Sequence, residues 1–495
     1  MKRIYIFLSA AILGLASCAD ELDQKPISSA TTLTFYQSNN DFLQGINAVY
    51  ASLAGYPDRI LNLSETRSDN LYAVSDGGVR DWEGINSFHP TLATNPYISE
   101  AWSANYAGIF KANNFLDQLS KNGAVITDAT LKPRFEAEAR YLRAMYYFDL
   151  VRWFGKVPLI DKVVSQNEAL AIPRSSVADV YKLIISDLQF AAQNLPVTYT
   201  TANVGRATNN AAKSLLALVY MTRSGPTYNI EGPGLGVNEW ALAYSLLNEV
   251  ISSGKYSLLA TYPSIFSYTN ENNAEVIFDV QFISGGLGLG GDFPTVLAPD
   301  TYFTSNGLPN QTLTIRPISN DLLNSYATAD TRKAFSILSG YTANGVQETR
   351  AFFKKYIDLT KYGKSRTDWP INFITMRYAD VLMMKAECVL QGGGGTQDEA
   401  VTIVNSIRKR AGLGNITSLT LPQLMEERRK EFAGEGSRWH DLVRSGLVEK
   451  TMTTWIPAED VLKQMKPFKT DYILYALPQS EMDVKAGLYT QNNGY

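Results

Sequence analysis

Cysteine and histidine are the residues of which this 495-residue chain has least, with two of each: Cys18, Cys388, His89 and His440. So few and so widely spaced, they do not make a His- or Cys-rich metal site, and no metal ion is predicted. A histidine-dependent triad is not indicated either, because no G-x-S-x-G sequence surrounds a serine. The chain also has no Walker-type loop. These absences argue against an enzyme and against a bound cofactor.

Strong net charge and long apolar runs are missing as well. The formal net charge is −3, which gives no electrostatic basis for binding nucleic acid or an anionic membrane surface. After the first 17 residues, no apolar run is long enough to span a bilayer. Hydrophobic residues make up 45% and charged residues 19%, the balance of an ordinary globular protein. Aromatic residues, in contrast, are plentiful, with 28 Tyr, 21 Phe and 7 Trp.

The N-terminus has the organisation of an export signal. Lys2 and Arg3 precede a short apolar segment, 4–16. The sequence Leu15-Ala16-Ser17-Cys18 spans the end of this segment and the two residues after it. This end resembles a bacterial lipoprotein cleavage site, at which residues 1–17 are removed and Cys18 carries acyl chains. Each buried CH₂ of such chains contributes about 0.8 kcal/mol, so several chains hold a soluble domain at a membrane. Cys18 is therefore the predicted lipidation site; the alternative is an ordinary secretory leader with a cysteine nearby.

Two consequences follow from a lipidated Cys18. Cys388 is left without a partner, so no internal disulfide is expected. The acidic run Ala19-Asp20-Glu21-Leu22-Asp23 resembles the export signal that sends lipoproteins of Bacteroidetes to the outer face of the outer membrane, and its charge favours a solvated neck. We therefore expect a signal peptide at 1–17, a lipidated tether at 18–30 and one ligand-binding domain at 31–495.

Helical periodicity dominates the rest of the chain. In segment 133–154, Tyr141, Ala144, Phe148 and Val151 recur at 3-4-3 spacing, and a second apolar stripe predicts a helix buried on more than one side, with Gly155 as its stop. A helical pair is predicted over 376–412, broken by glycines 392–395, with Thr396 and Glu399 as a capping box. Such a pair is the unit of tetratricopeptide-like arrays. Further helices are predicted at 40–54, 100–120, 176–194, 208–223, 238–253 and 421–434.

Two long segments are different in character. Residues 64–99 and 281–310 mix Gly, Pro, Asn and Asp with aromatic residues, which predicts long loops on a helical scaffold. Binding residues concentrate in such loops. The glycine-rich stretch 285–291 follows a predicted strand at 275–283 without a helix after it, so we interpret it as a mobile loop rather than a phosphate-binding loop.

Four stretches together resemble the SusD/RagB family of Bacteroidetes outer-membrane lipoproteins. They occur in order, and together with the cleavage site at Cys18 the matches run from one end of the chain to the other, so the resemblance extends over nearly all of it. One residue departs from the family pattern, Asn493, where a proline is usual. The stretches are EARYLRAMYYFDLVRWFGKVPLI (138–160), RYADVLMMKAECVLQGG (377–393), EERRKEFAGEGSRWHDLVRSG (426–446) and YALPQSEMDVKAGLYTQNNGY (475–495).

The resemblance implies both a fold and a role. The fold is mainly α, a SusD-like single domain in which tetratricopeptide-like helix pairs pack against a loop-rich irregular half. The role is that of a non-enzymatic, lipid-anchored protein of the outer membrane that faces the cell exterior and binds nutrients, most often oligosaccharides. Its implied partner is a SusC-like TonB-dependent transporter, over which it acts as a hinged lid.

Dense charge in two of these stretches is interpreted as structural. Buried Arg–carboxylate pairs fix helix register, and long arginine stems pack on apolar neighbours. The alternative, a role in ligand binding, is weaker, because a signature shared by members with different ligands concerns the fold or the shared partner. The residues concerned are Arg140, Arg143, Asp149, Arg152, Glu427, Arg428, Glu431, Arg438 and Asp441.

Ligand contacts are expected from the loops, because sugars present C–H faces to aromatic rings and hydroxyls to planar polar side chains. One cluster supplies both kinds of residue within sixteen positions: Arg67, Asp69, Asn70, Tyr72 and Trp82. The alternative is a loop stapled to the helical half by Asp/Asn turns and a buried Trp. For Asp69 and Asn70 this structural alternative is favoured. For Trp82 the structural alternative and ligand binding are weighted equally. Tyr302, followed by Phe303, is a further candidate.

Three functional hypotheses remain open at this point. The first is a surface glycan-binding lipoprotein that works with a TonB-dependent transporter. The second keeps the architecture but binds peptides, through backbone pairing more than through stacking. The third is a surface-tethered glycoside hydrolase, for which the separation of two carboxylates is decisive and is a property of the fold.

Overall fold

The computed structural model describes residues 35–74, 80–309 and 314–495, with only the backbone of Thr201. Cys18, the predicted leader at 1–17 and the tether at 18–30 lie outside the described residues. The helices follow one another along the chain from α1 to α18. They are α1 (Asn39–Tyr50), α2 (Tyr56–Ile60), α3 (Asp81–Asn86), α4 (Pro96–Asn122), α5 (Leu131–Phe154), α6 (Gln166–Ala169), α7 (Val177–Asn194), α8 (Asn209–Ser224), α9 (Trp240–Ser252), α10 (Asp300–Ser305), α11 (Asn320–Ser325), α12 (Thr331–Ser336), α13 (Tyr378–Leu390), α14 (Gln397–Arg410), α15 (Leu421–Glu431), α16 (Arg438–Arg444), α17 (Val448–Glu459) and α18 (Gln479–Val484).

Helix α5 has the burial that its two apolar stripes predict. From Phe135 to Phe154 nearly every side chain is buried, including the charged Glu138 and Asp149. The helix ends at Gly155, whose positive φ of 67° suits a glycine and whose N–H donates to the carbonyl of Val151. A helix buried all round needs neighbours on several sides.

The longer helices supply those neighbours by packing in a series. Helix α5 packs against both α4 and α7; α7 packs on α8, α8 on α9, α9 on α13, and α13 on α14. The predicted class, mainly α with tetratricopeptide-like helix pairs, is confirmed. The six shorter predictions, from 40–54 to 421–434, each coincide with a helix, and the ends differ by a few residues.

The hairpin of α13 and α14 shows one difference from the sequence pattern. Thr396 is the N-cap of α14, and its hydroxyl accepts from the N–H of Glu399 at 3.2 Å. The carboxylate of Glu399 does not return to Thr396. It binds Nζ of Lys385 at 2.6 Å and the hydroxyl of Tyr244 at 3.0 Å. The predicted capping box is therefore only half formed, because the glutamate instead links α14 to α13 and α9.

The third signature stretch, 426–446, is two helices rather than one. Helix α15 ends at Glu431, and α16 begins at Arg438. Gly434 and Gly436 lie between them with φ of 78° and 81°, values that favour glycine. At Gly436 a Cβ would approach Ile60 to 2.7 Å, so a side chain does not fit there. The break brings two backbone N–H groups against the N-terminal part of the chain.

Strands are few among the described residues and pair only in twos. All pairs are antiparallel: β1 with β2, β3 with β6, and β4 with β5. The β4–β5 hairpin turns at Asn344-Gly345, both at positive φ, as in a type I′ turn. The strands are β1 (Val157–Pro158), β2 (Arg174–Ser175), β3 (Val276–Val280), β4 (Ile337–Ala343), β5 (Val346–Phe353) and β6 (Phe373–Arg377).

Outside the helix series, much of the chain runs in short turns and loops. Single 3-10 or π turns punctuate these stretches, and the segment 64–99 begins inside one of them, a π turn at Leu61–Glu65. This half is the loop-rich irregular part that the resemblance implies. None of the helices in the described ranges is apolar over a length that would cross a bilayer.

Candidate functional site

Arg67, the first of the predicted ligand residues, is fully buried, with none of its surface exposed. Its Nη1 donates to the carbonyl of Ile85 at 2.8 Å, and its Nη2 donates to the carbonyl of Tyr472 at 2.8 Å and to the hydroxyl of Tyr495 at 3.2 Å. The guanidinium lies 4.2 Å from the ring centroid of Phe88. Arg67 therefore ties the segment 64–99 to the C-terminal end of the chain.

Asp69 and Asn70 are equally buried and face two arginines of the 426–446 stretch, Arg429 and Arg438. Asp69 accepts from Nε and Nη2 of Arg438, both at 2.8 Å, and forms an ion pair with Arg429 at 3.2 Å. Asn70 accepts from Nε of Arg429 at 2.8 Å and donates to Glu65 at 2.8 Å. Burial alone would raise the pKa of Asp69, but the charges of Arg429 and Arg438 outweigh it and lower the pKa to about 2.

Glu65 completes this arrangement from the other side. Its two carboxylate oxygens accept from the N–H groups of Gly434 and Gly436 at 3.0 and 2.9 Å. We call the set of Glu65, Arg67, Asp69, Asn70, Arg429 and Arg438 the buried network. It joins the start of the 64–99 segment to the break between α15 and α16.

The prediction that Arg67, Asp69 and Asn70 contact a ligand is therefore corrected. Their surface exposures are 0%, 1% and 0%, and their polar groups are used inside the fold. The alternative, a segment stapled to the helical half, is the structure's arrangement, although ion pairs rather than Asp/Asn turns make the attachment.

Tyr72 is also attached to the scaffold. Its hydroxyl donates to Oδ1 of Asp460 at 2.9 Å and accepts from the N–H of Leu462 at 3.0 Å. Its ring is partly buried and packs on the hydrophobic cluster around Trp439 and Trp455. Both hydrogen bonds of the Tyr72 hydroxyl are thus made within the fold, but the ring keeps partial exposure, so Tyr72 stays a predicted ligand contact.

Trp82, in contrast, is partly buried at the surface and lies beside a cation. The guanidinium of Arg316 is 4.9 Å from the ring centroid of Trp82 and 5.7 Å from that of Tyr97. Tyr97 is itself partly buried, and its hydroxyl accepts from Nη2 of Arg316 at 3.3 Å. We call Trp82, Tyr97 and Arg316 the aromatic patch. Two partly exposed rings on one guanidinium form a rigid surface with apolar faces and polar edges.

Arg316 is held mainly by neutral groups. Its Nη1 donates to Oδ1 of Asn62 at 2.7 Å and to the hydroxyl of Thr66 at 3.1 Å. No carboxylate of the described residues reaches ion-pair distance from it, and its Nε has no hydrogen-bond partner among them. Burial lowers the pKa of Arg316, and the nearby charge of Asp58 acts against that change. Nε is thus the one nitrogen of the Arg316 guanidinium that makes no hydrogen bond among the described residues.

Acidic and basic side chains alternate next to the patch. Asp292 binds Arg366 at 3.0 Å, and Arg59 binds Glu100 at 3.3 Å. The pKa of Asp58 is raised well above its usual value, first by burial and then by the charges of Asp292 and Glu100. Burial also raises the pKa of Asp292. Together with Arg316, these residues provide three cations and three acids, so the surroundings of the patch have balanced charge.

A single extended segment, 314–318, connects the predicted aromatic candidates. The carbonyl of Thr314 accepts from the N–H of Asp300, at the start of α10, at 3.4 Å. The carbonyl of Pro317 accepts from the N–H of Tyr72 at 3.0 Å. Arg316 lies between Thr314 and Pro317 in this segment and contacts the ring of Trp82. The segment therefore links the helix that carries Tyr302 to the patch at one end and Tyr72 to the patch at the other.

Tyr302 belongs to a second group of aromatic side chains. It is partly buried, and its ring centroid is 5.4 Å from that of Tyr341 and 5.7 Å from that of Phe303. Tyr341 also shares a short hydrogen bond with Thr301. Phe303 is fully buried and packs on Trp369 at 6.1 Å, so it is a core residue. Tyr302 keeps partial exposure and stays a predicted ligand contact.

The backbone N–H groups at the start of the glycine-rich stretch 285–291 are bound by a carboxylate of the same chain, that of Asp368. The N–H groups of Gly285 and Gly286 donate to the carboxylate of Asp368 at 3.1 and 3.0 Å, and the N–H of Lys364 joins them at 2.8 Å. Those donors lower the pKa of Asp368. The prediction that this stretch does not bind phosphate agrees with the arrangement, but a loop held by three hydrogen bonds is not the free loop that composition suggested.

The charged signature residues form the predicted buried ion pairs. Arg143 binds Asp187 at 2.8 Å, and Arg428 binds Asp441 at 2.9 Å. Glu431 meets three arginines, Arg332, Arg377 and Arg410, and their charges hold its pKa well below the usual value despite burial. The structural interpretation of these signatures is confirmed.

Sequence reasoning missed Arg316, Asp58, Asp292 and Arg366. Arg316 lies just beyond the 281–310 segment, and Asp58 lies in a short helix with no motif of its own. Of the patch, Trp82 is a predicted contact and Tyr97 is one of the aromatic residues in 64–99, so Arg316 is the member without a signal. Within the described ranges, no group of three His, Cys, Asp or Glu side chains is arranged to hold a metal ion.

The helix series packed against a loop-rich half is the architecture of the SusD-like class, a family of glycan- and starch-binding proteins. Residues 332–495 match the SusD family, and residues 21–221 match the family described as "Starch-binding associating with outer membrane". The chain therefore belongs to the SusD family.

Individual relatives agree with this assignment. A SusD-like protein of Bacteroides ovatus is 28% identical over 90% of this chain and 82% of its own length. The starch-binding protein SusD of Bacteroides thetaiotaomicron is 24% identical over the whole of both chains. Among solved structures, a laminarin-binding SusD-like protein is 27% identical, covers 93% of this chain and 100% of its own, and superposes with a TM-score of 0.76.

Proposed function

We propose that this chain is a lipid-anchored protein of the outer membrane that captures neutral oligosaccharides at the aromatic patch and passes them to a SusC-like TonB-dependent transporter. The single observation that carries the ligand class is the ring–guanidinium–ring arrangement of Trp82, Arg316 and Tyr97. Aromatic faces suit the C–H faces of a sugar ring, the buried Arg316 fixes the positions of the two rings, and the neighbouring carboxylates suit the hydroxyls of the sugar.

Charge balance is the reason for a neutral ligand. Three cations and three acids surround the patch, and Arg366 and Arg59 already hold carboxylates. An acidic sugar would add an uncompensated charge to a partly buried site, at a cost in desolvation. The laminarin-binding relative fits this class, since laminarin is the ligand that its name gives.

Anchoring and delivery rest on the N-terminus and the family. Cys18 and the acids after it supply the proposed tether, and an outer-membrane association is the description of one matching family. A tether that holds the domain beside a transporter makes transfer effectively intramolecular, which raises the local ligand concentration without any new contact. The proposed role is capture rather than catalysis.

Calorimetry with laminarihexaose and a maltohexaose tests the proposed site. Trp82→Ala should weaken the binding of the recognised hexasaccharide at least tenfold, because loss of an aromatic anchor costs more than about 1.4 kcal/mol. Phe110→Ala is the matched control: Phe110 is 60% exposed on the same helix as Tyr97, about 20 Å further along. It should leave the affinity unchanged.

Three outcomes would contradict the proposal in different ways. Equal affinities for Trp82→Ala and the unsubstituted protein would remove the patch from the site. Binding of peptides but of no glycan would favour the peptide hypothesis. Release of shorter sugars from the hexasaccharide would point to a hydrolase that uses Asp58 and Asp292.

A further inference from the structure

A second concave surface lies between the loop at 197–208 and the start of β3. It is a cleft of about 220 Å³, and it shares no residue with the aromatic patch. If each water molecule occupies its volume in the liquid, about 30 Å³, the cleft would hold about seven waters. This is room for one sugar ring and not for a long chain. We refer to it as the second cleft.

The walls of the second cleft combine aromatic rings with planar polar groups. Tyr199 and Tyr256 line it, and both are partly buried. Their positions are fixed, since Tyr199 donates to Glu138 at 3.3 Å and Tyr256 stacks on Tyr378 with centroids 6.4 Å apart. Arg206 lies in the same wall and is held by Glu138 at 2.8 Å. These side chains are ordered before any ligand arrives.

A buried carboxyl group with unused capacity lies in the wall of the cleft. Asp279 is 3% exposed, and its Oδ1 accepts from Nε2 of Gln281 at 2.5 Å. Its Oδ2 and Nδ2 of the adjacent Asn372 make no well-aligned hydrogen bond in the part of the chain that the structure describes, although the Asn372 amide acts on Asp279 as a donor. Buried polar atoms of this kind are rare in folded proteins, and a bound polar molecule is one way to satisfy them.

The other polar groups at the mouth are arranged around the same point. Gln281 and Asn272 exchange two hydrogen bonds between their amides, at 3.0 and 3.2 Å. Asn272 is exposed and has a φ of 51°. At Gly205, opposite, a Cβ would meet Gln281 at 2.6 Å, so a glycine is needed for the loop to approach. The amide pair and the carboxyl group together offer donors and acceptors to a ligand with several hydroxyl groups.

We propose that the second cleft is a binding site for a single sugar ring or a similar polyhydroxylated unit, separate from the aromatic patch. Tyr199 and Tyr256 provide its apolar walls, Asp279 and Asn272 provide its hydrogen-bonding groups, and Gln281 holds those two side chains from behind. Two separate sites on one chain would hold a long polysaccharide at two points, so that binding at one favours binding at the other.

Saturation-transfer NMR with glucose as the probe tests this site on the full chain. All variants carry Trp82→Ala, which removes the proposed first site. Ala274 is exposed and lines the cleft, so Ala274→Trp should fill the cleft without disturbing the core. Ala202 is exposed on the same loop but does not line the cleft, so Ala202→Trp is the matched control. Far-ultraviolet circular dichroism checks that each variant is folded.

The expected result is a glucose signal in Trp82→Ala that falls at least fivefold on adding Ala274→Trp and is unchanged on adding Ala202→Trp. Equal signals from the two tryptophan variants, or no glucose signal in Trp82→Ala alone, would overturn the proposal. Failure of the proposed function is a separate result, namely unchanged hexasaccharide affinity in Trp82→Ala, and the comparison of the two tryptophan variants decides the second cleft in either case.

Discussion

The buried network and the aromatic patch use the same kinds of residue for opposite purposes. Arg67 in the network and Arg316 in the patch are both nearly fully buried and both lie against aromatic rings. In the network, the neighbouring Asp69 and Asn70 are hydrogen-bonded to arginines on all sides. In the patch, the rings of Trp82 and Tyr97 remain partly exposed.

The difference shows that residue type does not separate a scaffold from a site. What separates them is whether an apolar face reaches solvent, since Arg67 and Arg316 each leave Nε without a hydrogen bond among the described residues. The ion pairs and hydrogen bonds of the buried network fix one arrangement of the backbone. A surface patch that keeps exposed rings can still gain contacts from a ligand.

The largest expected effect comes from opening the buried network. Arg438→Ala removes both hydrogen bonds to Asp69 and leaves that carboxylate buried with only Arg429. Breaking a buried pair in this way costs about 3–5 kcal/mol. The free energy of unfolding, measured by urea denaturation, should fall by that amount, while the glycan affinity of the protein that remains folded should not change.

An exposed ion pair provides the control for Arg438→Ala. Lys182 binds Asp179 at 2.7 Å, with side chains that are 78% and 50% exposed. Lys182→Ala should change the free energy of unfolding by no more than about 1 kcal/mol. If Arg438→Ala were equally mild, or if it abolished glycan binding in a stable protein, the network would not be the scaffold described above.

A change of pH should separate the two regions next. The pKa of Asp69 is lowered to about 2, whereas the pKa values of Asp58 and Asp292 are raised. The stability that Asp69 contributes is present above its unfolded pKa of about 3.9 and is lost only as the pH falls through about 2. As the pH falls from 7, Asp69 therefore keeps its charge longest. Burial raises the pKa of Glu65, also in the network, and of Asp58 and Asp292 beside the patch, so these acids take up protons before Asp69 does.

Glycan affinity should consequently fall several-fold from pH 7 to pH 4.5, because a carboxylate accepts hydrogen bonds from hydroxyls more strongly than a neutral carboxyl does. Calorimetry at the two pH values measures the fall, and circular dichroism verifies that the protein stays folded. Asp58→Asn should bind more weakly at pH 7 and show a smaller change with pH. An affinity that does not vary with pH would exclude Asp58 and Asp292 from the site.

The contrast between the regions also explains how far the sequence predicts the fold. The period of the apolar residues is a local property, so α5, the α13–α14 pair and the six further helices are predictable within a few residues. The half-formed capping box is not, because the partners of Glu399 are Lys385 and Tyr244, and Tyr244 is 155 residues away in the chain. Helix ends follow local rules, but side-chain partners follow the tertiary structure.

The same limit applies more strongly to the candidate site. The pattern of 64–99 identifies a region with Arg, Asp, Asn and Trp, but it contains no information on which of these faces solvent. Arg67 is buried because its partners are Tyr472 and Tyr495, more than 400 residues away. Arg316 joins the patch through a contact with Asn62, 254 residues away in the chain. The predicted aromatic contacts Tyr72, Trp82 and Tyr302 keep partial exposure and stay predictions.

The smallest expected effect concerns Tyr72, which lies between the two regions in the chain. Tyr72→Phe keeps the ring on its hydrophobic cluster and removes the hydrogen bonds to Asp460 and Leu462. A hydrogen bond to a charged group contributes about 1.5–3 kcal/mol and a neutral one about 1 kcal/mol, but water can replace part of this at a partly buried hydroxyl. We therefore expect a loss of about 1 kcal/mol in the free energy of unfolding and no change in glycan affinity. A weaker affinity with unchanged stability would move Tyr72 from the scaffold to the site, and the boundary between the two regions would then lie before residue 72 rather than between Tyr72 and Trp82.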